Sequence, residues 1–184
     1  MSNGSMRRLL VCGLALTACF PSITLAQKGY AIGIAGGAAI PVGRLGDAQK
    51  TGYSALITFA LGSPDLPIGV RIDGIYNNLT RSTPVTGPAA GDLRVGGALL
   101  DLVYAFPGTY AKPYMLAGAG WYASKIDTTA SKTQNNIGFN GGLGITFGFG
   151  PAAAFIEGRY HSISRSVAKG GVFQFVPITF GLMF

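Results

Sequence analysis

Residues Ile137 to Phe149 read IGFNGGLGITFGF, and the alternation inside this run decides the fold. Ile137, Phe139, Leu143, Ile145, Phe147 and Phe149 occupy odd positions, while Gly138, Asn140, Gly142, Gly144, Thr146 and Gly148 occupy even ones. A period of two is the signature of a β-strand, whose successive side chains point to opposite faces. The uncharged stretch continues to Ile156, long enough to consider a membrane-spanning helix. A helix would mix the two sets around its surface, however, and each glycine would weaken it by roughly 1 kcal/mol relative to alanine.

The same period recurs on either side and gives eight strands: about Tyr30 to Ile40, Tyr53 to Gly62, Ile68 to Leu79, Leu93 to Phe106, Pro113 to Lys125, Ile137 to Phe149, Ala154 to Ile163, and Val172 to Phe184. Most have the length that a tilted strand needs to cross a bilayer, about 9 to 11 residues. The connections alternate in character. Ser63 to Pro67, Pro107 to Ala111 and Gly150 to Ala153 are short and punctuated by Pro and Gly, whereas Gly43 to Gly52, Arg81 to Asp92, Ile126 to Asn136 and Ser164 to Gly171 are longer and more polar. Short turns alternating with long loops are expected of outer-membrane barrels, where the turns face the periplasm. Closure of an even number of strands leaves no edge with unpaired backbone groups in hydrocarbon.

Composition agrees with a protein solvated by lipid. Charged residues make up 11% of the 184 residues, against roughly 25% for a soluble domain, and mean hydropathy is +0.39. Ahead of the strands, Arg7 and Arg8 followed by the apolar run Leu9 to Phe20 form the pattern of a signal peptide, and Thr24-Leu25-Ala26 places small residues at the first and third positions before a cut. The expected domain organisation is a signal peptide over 1–26 and a barrel over 27–184. A competing reading is a lipobox at Leu16-Thr17-Ala18-Cys19, with Cys19 lipidated. Cleavage after Ala26 removes Cys12 and Cys19, the only cysteines, so no disulfide is expected in the mature chain. The mature chain then carries 12 basic against 7 acidic residues, and no nucleic-acid role is expected for an exported protein with charges scattered over several loops.

Charge also assigns the faces. Pointing an arginine at the bilayer midplane of such a barrel costs roughly 2 to 4 kcal/mol. The parity of Glu157, Arg159 and His161 must therefore face inward, with Ala154, Ile156, Gly158 and Tyr160 toward lipid. By the same rule Ile68, Val70, Ile72 and Tyr76 point out and Arg71 and Asp73 point in; Leu100, Leu102, Tyr104 and Phe106 point out and Asp101 points in. In the fifth strand Tyr114, Leu116 and Tyr122 compete for the lipid face with Met115 and Trp121, and the expectation favours the tyrosines. Arg71, Asp73, Asp101, Glu157, Arg159 and His161 lie at similar heights and are expected to form one interior ion network. Eight strands enclose an interior just wide enough for side chains to fill, so a plug of paired charges is expected in preference to a proton or ion path.

Three stretches carry a family resemblance: Lys112-Pro113-Tyr114 running to Gly118-Ala119-Gly120, Ala154-Phe155-Ile156-Glu157-Gly158-Arg159-Tyr160, and the ending Val176-Pro177-Ile178-Thr179-Phe180-Gly181-Leu182-Met183-Phe184. The mature chain resembles the OmpA/OmpX-like outer-membrane β-barrel domains over its whole length. That resemblance implies an all-β, eight-stranded antiparallel up-and-down transmembrane barrel. It also implies that Phe180, Leu182 and Phe184 form a C-terminal signal for the barrel-assembly machinery, although Leu182 stands where an aromatic is common.

Other chemistry fares poorly. One deacylase family among lipid A-modifying barrels uses a His and a Ser two positions apart, but here His161 is followed by Ser162 and Ser164, with Ile163 at the matching position. Neither serine shares the strand face of the histidine, so no catalytic residue is expected. The Gly142-Leu143-Gly144 spacing lacks the following helix of a phosphate-binding loop, and no His, Cys or carboxylate cluster has metal-ligand spacing, so no cofactor is expected. The loops and strand tips carry Arg44, Lys50, Arg81, Arg94, Lys125, Lys132, Arg165 and Lys169 against Asp47, Asp92 and Asp127; these cations are candidates to contact lipopolysaccharide phosphates, or simply keep the loops solvated. The expected role is structural or surface-interacting, through the outer loops of a monomer. A narrow channel like the OmpW group is the alternative, and a soluble lipocalin-like barrel is disfavoured by the scarcity of charge.

Overall fold

Each strand alternates between side chains that can face only an apolar solvent and side chains that can pack inward, and this pattern closes on itself. The computed structural model describes residues 29–63, 66–82, 91–127, 132–165 and 171–184. The signal peptide expected over 1–26 lies outside these residues, as do both cysteines and Lys169. The order is β1 (Tyr30–Val42), a short helix α1 (Arg44–Ala48), β2 (Gln49–Gly62), β3 (Ile68–Arg81), β4 (Leu93–Ala105), β5 (Ala111–Ile126), β6 (Gln134–Phe149), β7 (Ala152–Ile163) and β8 (Phe173–Met183). Every strand pairs antiparallel with its sequence neighbour, and β1 pairs with β8 to close an eight-stranded barrel. The seam is pinned at the chain end: Phe184 N donates to Ile32 O at 2.8 Å and Ile32 N to Phe184 O at 3.0 Å.

Several strands run past their expected ends, and two of the connections change with them. The first long connection shrinks to Gly43 and α1, because β2 begins at Gln49 and absorbs an irregularity between Lys50 and Tyr53. Gly43 makes the turn with a φ of 58°, where a glycine has no Cβ to clash. Buried Gln49 fastens the strand end by donating from Nε2 to Gly91 O at 3.1 Å. The turn between β6 and β7 is also tighter than expected, because β7 begins at Ala152 and Gly150 turns the chain with a φ of 66°.

The outer surface is a band of exposed apolar side chains, including Ile34, Ile57, Ile72, Leu100, Leu102, Phe139, Leu143 and Ile178. So continuous an apolar wall is far beyond what a water-soluble surface carries, and it matches the lipid-facing band of transmembrane barrels. Aromatic rings border it. Tyr30 stacks near Phe59 and Tyr104 meets Phe106 edge-on toward the turn end, while Tyr53 and Tyr76 lie 6.1 Å apart toward the loop end.

The fifth strand corrects the expectation. Tyr114, Leu116 and Tyr122 are buried inside, and Met115 and Trp121 are exposed at 44% and 51%. Two physical reasons decide it. Each phenol finds a hydrogen-bond partner only inside, on Glu157 and His161 respectively, and buried hydroxyls require one. Paired residues in a ladder also share a face, and Asp101 pairs with Gly118, which commits the even positions of β5 to the interior.

Inside, the barrel is layered. Ala39, Leu79, Leu93, Val95, Leu99, Tyr122, Ile163 and Phe175 form an apolar layer beneath the loops, capped by Leu45 from α1. A layer of charged side chains lies between it and the turn end.

Candidate functional site

The charged layer is assembled by five strands. Arg71 and Asp73 project from β3, Asp101 from β4, Tyr114 from β5, Asn140 from β6, and Glu157 and Arg159 from β7; all are at most 7% exposed. Arg71 clamps Asp73 with both edges of its fork, Nε to Oδ1 at 3.2 Å and Nη2 to Oδ2 at 2.8 Å, and gives Nη1 to Glu157 Oε2 at 2.7 Å. Arg159 reaches further. Its Nε donates to Glu157 Oε1 at 2.9 Å, Nη1 to Asp101 Oδ2 at 3.0 Å, and Nη2 to Asp73 Oδ2 at 2.7 Å. Two neutral groups complete the set: Asn140 Nδ2 donates to Asp101 Oδ1 and Tyr114 Oη to Glu157 Oε2, each at 2.8 Å. Every oxygen of the three carboxylates thereby accepts at least one hydrogen bond, which is what buried charge requires.

The deciding glycine run makes room for this layer. A Cβ on Gly144 would stand 2.3 Å from Tyr114 Cζ, and one on Gly138 2.8 Å from Tyr122 Cε2. On the facing strand, a Cβ on Gly118 would meet Asp101 Oδ1 at 2.1 Å. The small inward positions of β5 and β6 are the space that long side chains from β4, β5 and β7 fill.

Of the six residues proposed for one network, the structure joins five. His161 stands apart. Its Nδ1 lies 2.9 Å from Tyr122 Oη, and its ring stacks on Phe175 at 4.8 Å and 7°, so it belongs to the apolar layer. Sequence reasoning missed Tyr114 and Asn140. Asn140 was visible as one of two non-glycine residues on the inward parity of residues 137–149; Tyr114 gave no such signal, because aromatics occupy both parities of its strand.

The charged layer closes the lumen from the turn end. An open cavity of ≈ 450 Å³ enters there between Ala31, Leu66, Val103, Lys112 and Met183, and Arg71 and Tyr114 are among its lining residues. Phe180, Leu182 and Phe184 all lie on the outer face of β8 and its end. Among the loop-end cations, Arg44 lies in α1. Lys50 pairs with Thr80, and Arg81 N donates to Asp92 Oδ1 at 2.9 Å. Arg94 meets Asp127 at 2.6 Å, and Lys125 and Lys132 are exposed. Arg165 donates to Gln134 Oε1 at 2.7 Å and lies 3.9 Å over the Phe173 ring, which ties it to the loop walls.

A closed up-and-down barrel with an apolar exterior and a charged, filled interior has the architecture of small outer-membrane barrels. Solved structures bear this out at the level of fold. Neisserial surface protein A superimposes with a TM-score of 0.65 at 18% identity, over 85% of this chain and 96% of that one. The N-terminal β-barrel domain of Pseudomonas aeruginosa OprF gives 0.52 at 16% identity, over 85% and 98%. Yersinia pestis Ail in a phospholipid bilayer nanodisc gives 0.51 at 17%, over 85% and 100%. No family model and no curated protein matches the sequence. The OmpA/OmpX-like resemblance therefore stands as a likeness of fold.

Proposed function

We propose that this chain is an integral outer-membrane protein in which a rigid, non-conducting barrel mounts recognition loops at the cell surface. The observation that carries the reading is Arg159. From β7 it bonds to Asp73 on β3 and Asp101 on β4, so one side chain crosses the lumen, and Leu45 with Phe175 and Tyr122 packs the space above it. An interior filled in this way supports a mount more than a passage. The signal-peptide pattern of residues 1–26 supports export, and the alternation of short turns with longer connections supports an orientation with the loop end outward. A surface role also accords with one of the fold neighbours, described as a surface protein.

Planar bilayers carrying the refolded mature chain test the reading. The expected record shows no stable conductance steps at moderate voltage. Reproducible steps would replace it with a narrow channel of the OmpW kind.

A further inference from the structure

The loop-end cations are not equivalent. Arg94 and Lys125 are paired across the β4–β5 ladder, Asn78 pairs with Arg94 on the other side, and Tyr53 pairs with Asn78, so one row runs Tyr53, Asn78, Arg94, Lys125 over four adjacent strands. Both cations point away from the lumen: Arg94 is exposed between Leu93 and Val95, which are 1% and 0% exposed, and Lys125 is exposed beside the buried Ser124. Below them on the same outer wall come Gly96, Ala98 and Ala123, flanked by Tyr76 and the exposed Trp121. Long cationic side chains just above an aromatic border reach the headgroup level of a bilayer.

The local charge calls for an anion. Arg94 Nη2 bonds Asp127 Oδ2 at 2.6 Å, with side chains 52% and 49% exposed. A solvated pair of this kind is weak, so the Arg94 guanidinium beside Lys125 is open to a second anion. Two cations against one carboxylate leave an excess positive charge at the depth where the outer leaflet of an outer membrane places phosphate groups. Arginine recognises phosphate with its planar fork and lysine as a point charge.

We propose that Arg94 and Lys125 bind a phosphate of the lipid A headgroup of a neighbouring lipopolysaccharide, whose acyl chains lie over Gly96, Ala98 and Ala123 between Tyr76 and Trp121. This rests on the reading that the loop end faces outward in an outer membrane. It confines lipopolysaccharide contact to one side of the barrel, and it makes the remaining loop cations dispensable for that contact.

The test uses the mature barrel in phosphatidylcholine nanodiscs doped with rough lipopolysaccharide, or with the same material after removal of its phosphates, and counts retained glycolipid by native mass spectrometry. The phosphorylated form should be retained roughly tenfold better. R94Q/K125Q should lose that preference, whereas R44Q/K132Q and the charge-preserving R94K/K125R should keep most of it. Equal retention of both glycolipids by the wild-type chain overturns the proposal, and so does unchanged preference in R94Q/K125Q. Release of the glycolipid by millimolar inorganic phosphate would also overturn it, in favour of a site for free anions. A heat-modifiable gel shift on each sample separates the two levels of inference. A folded barrel without preference removes the lipid site alone, and a wild-type chain that fails to fold in lipid removes the outer-membrane reading itself.

Discussion

Arg159 on β7 and Asp73 on β3 meet at 2.7 Å, Nη2 to Oδ2, although 86 residues separate them and neither strand neighbours the other. The bond is a strut across the barrel. It works because both partners are also held from their own sides, Arg159 by Glu157 and Asp73 by Arg71, so the lumen is braced by a continuous chain of charge-assisted hydrogen bonds.

Removing the strut should cost more than any single bond is worth. Arg159→Met leaves Asp73, Asp101 and Glu157 buried with fewer donors, and breaking a buried ion pair from one side costs about 3 to 5 kcal/mol. Reversible denaturant unfolding of the barrel in lipid vesicles measures this. Asp101→Asn in the Arg159→Met background should recover part of the loss, because the strut then leaves one buried charge fewer without a partner. A double variant no better than Arg159→Met would show that Asp101 and Arg159 are not coupled.

Gly144 offers a sharper test of packing. A methyl group there would lie 2.3 Å from Tyr114 Cζ, and the ring is held by its bond to Glu157. Gly144→Ala is expected to destabilise by about 1 to 3 kcal/mol through overpacking. The same substitution in a Tyr114→Leu background should cost clearly less, since the clashing ring tip is gone. Equal costs in both backgrounds would mean that the strand accommodates the methyl group elsewhere.

The lipid face should show a depth profile. Leu100, 59% exposed near the middle of β4, faces hydrocarbon, whereas Thr80 faces outward at the loop end of β3. Leu100→Arg should lower the unfolding free energy by about 2 to 4 kcal/mol and Thr80→Arg by about 0 to 1 kcal/mol. The same unfolding measurement distinguishes them, and a reversed order would put the bilayer at another height on the barrel.

The sequence was most readable where charge breaks the symmetry between faces. Glu157 and Arg159 admit only one orientation of β7, and Arg71, Asp73 and Asp101 do the same for β3 and β4, so these strands could be oriented without coordinates. In β5 both faces are apolar or aromatic, and its face depends on register with β4, a long-range property that no local pattern encodes. α1 was missed for a related reason, since the five residues Arg44–Ala48 are too few to show a period. His161 was misassigned because charge type and height place it beside Arg159, while its actual partners, Tyr122 and Phe175, are uncharged residues on β5 and β8.

The corrected orientation of β5 can be read optically, because Trp121 is the only tryptophan in the chain. Its indole lies on the outer face, 51% exposed toward the bilayer, while its sequence neighbour Tyr122 is fully buried in the lumen. In vesicles, Trp121 emission should be blue-shifted, strongly quenched by lipids brominated on their acyl chains, and scarcely quenched by aqueous acrylamide. Varying the bromine position then locates the indole. With Arg94 and Lys125 on the loop side of it, quenching should peak for bromines in the upper half of the leaflet and fall toward the midplane. An indole inside the barrel would be screened from every brominated lipid by the strand wall, so absence of quenching would return Tyr114 and Tyr122 to the lipid face and remove both hydroxyls from the interior bonds described for them.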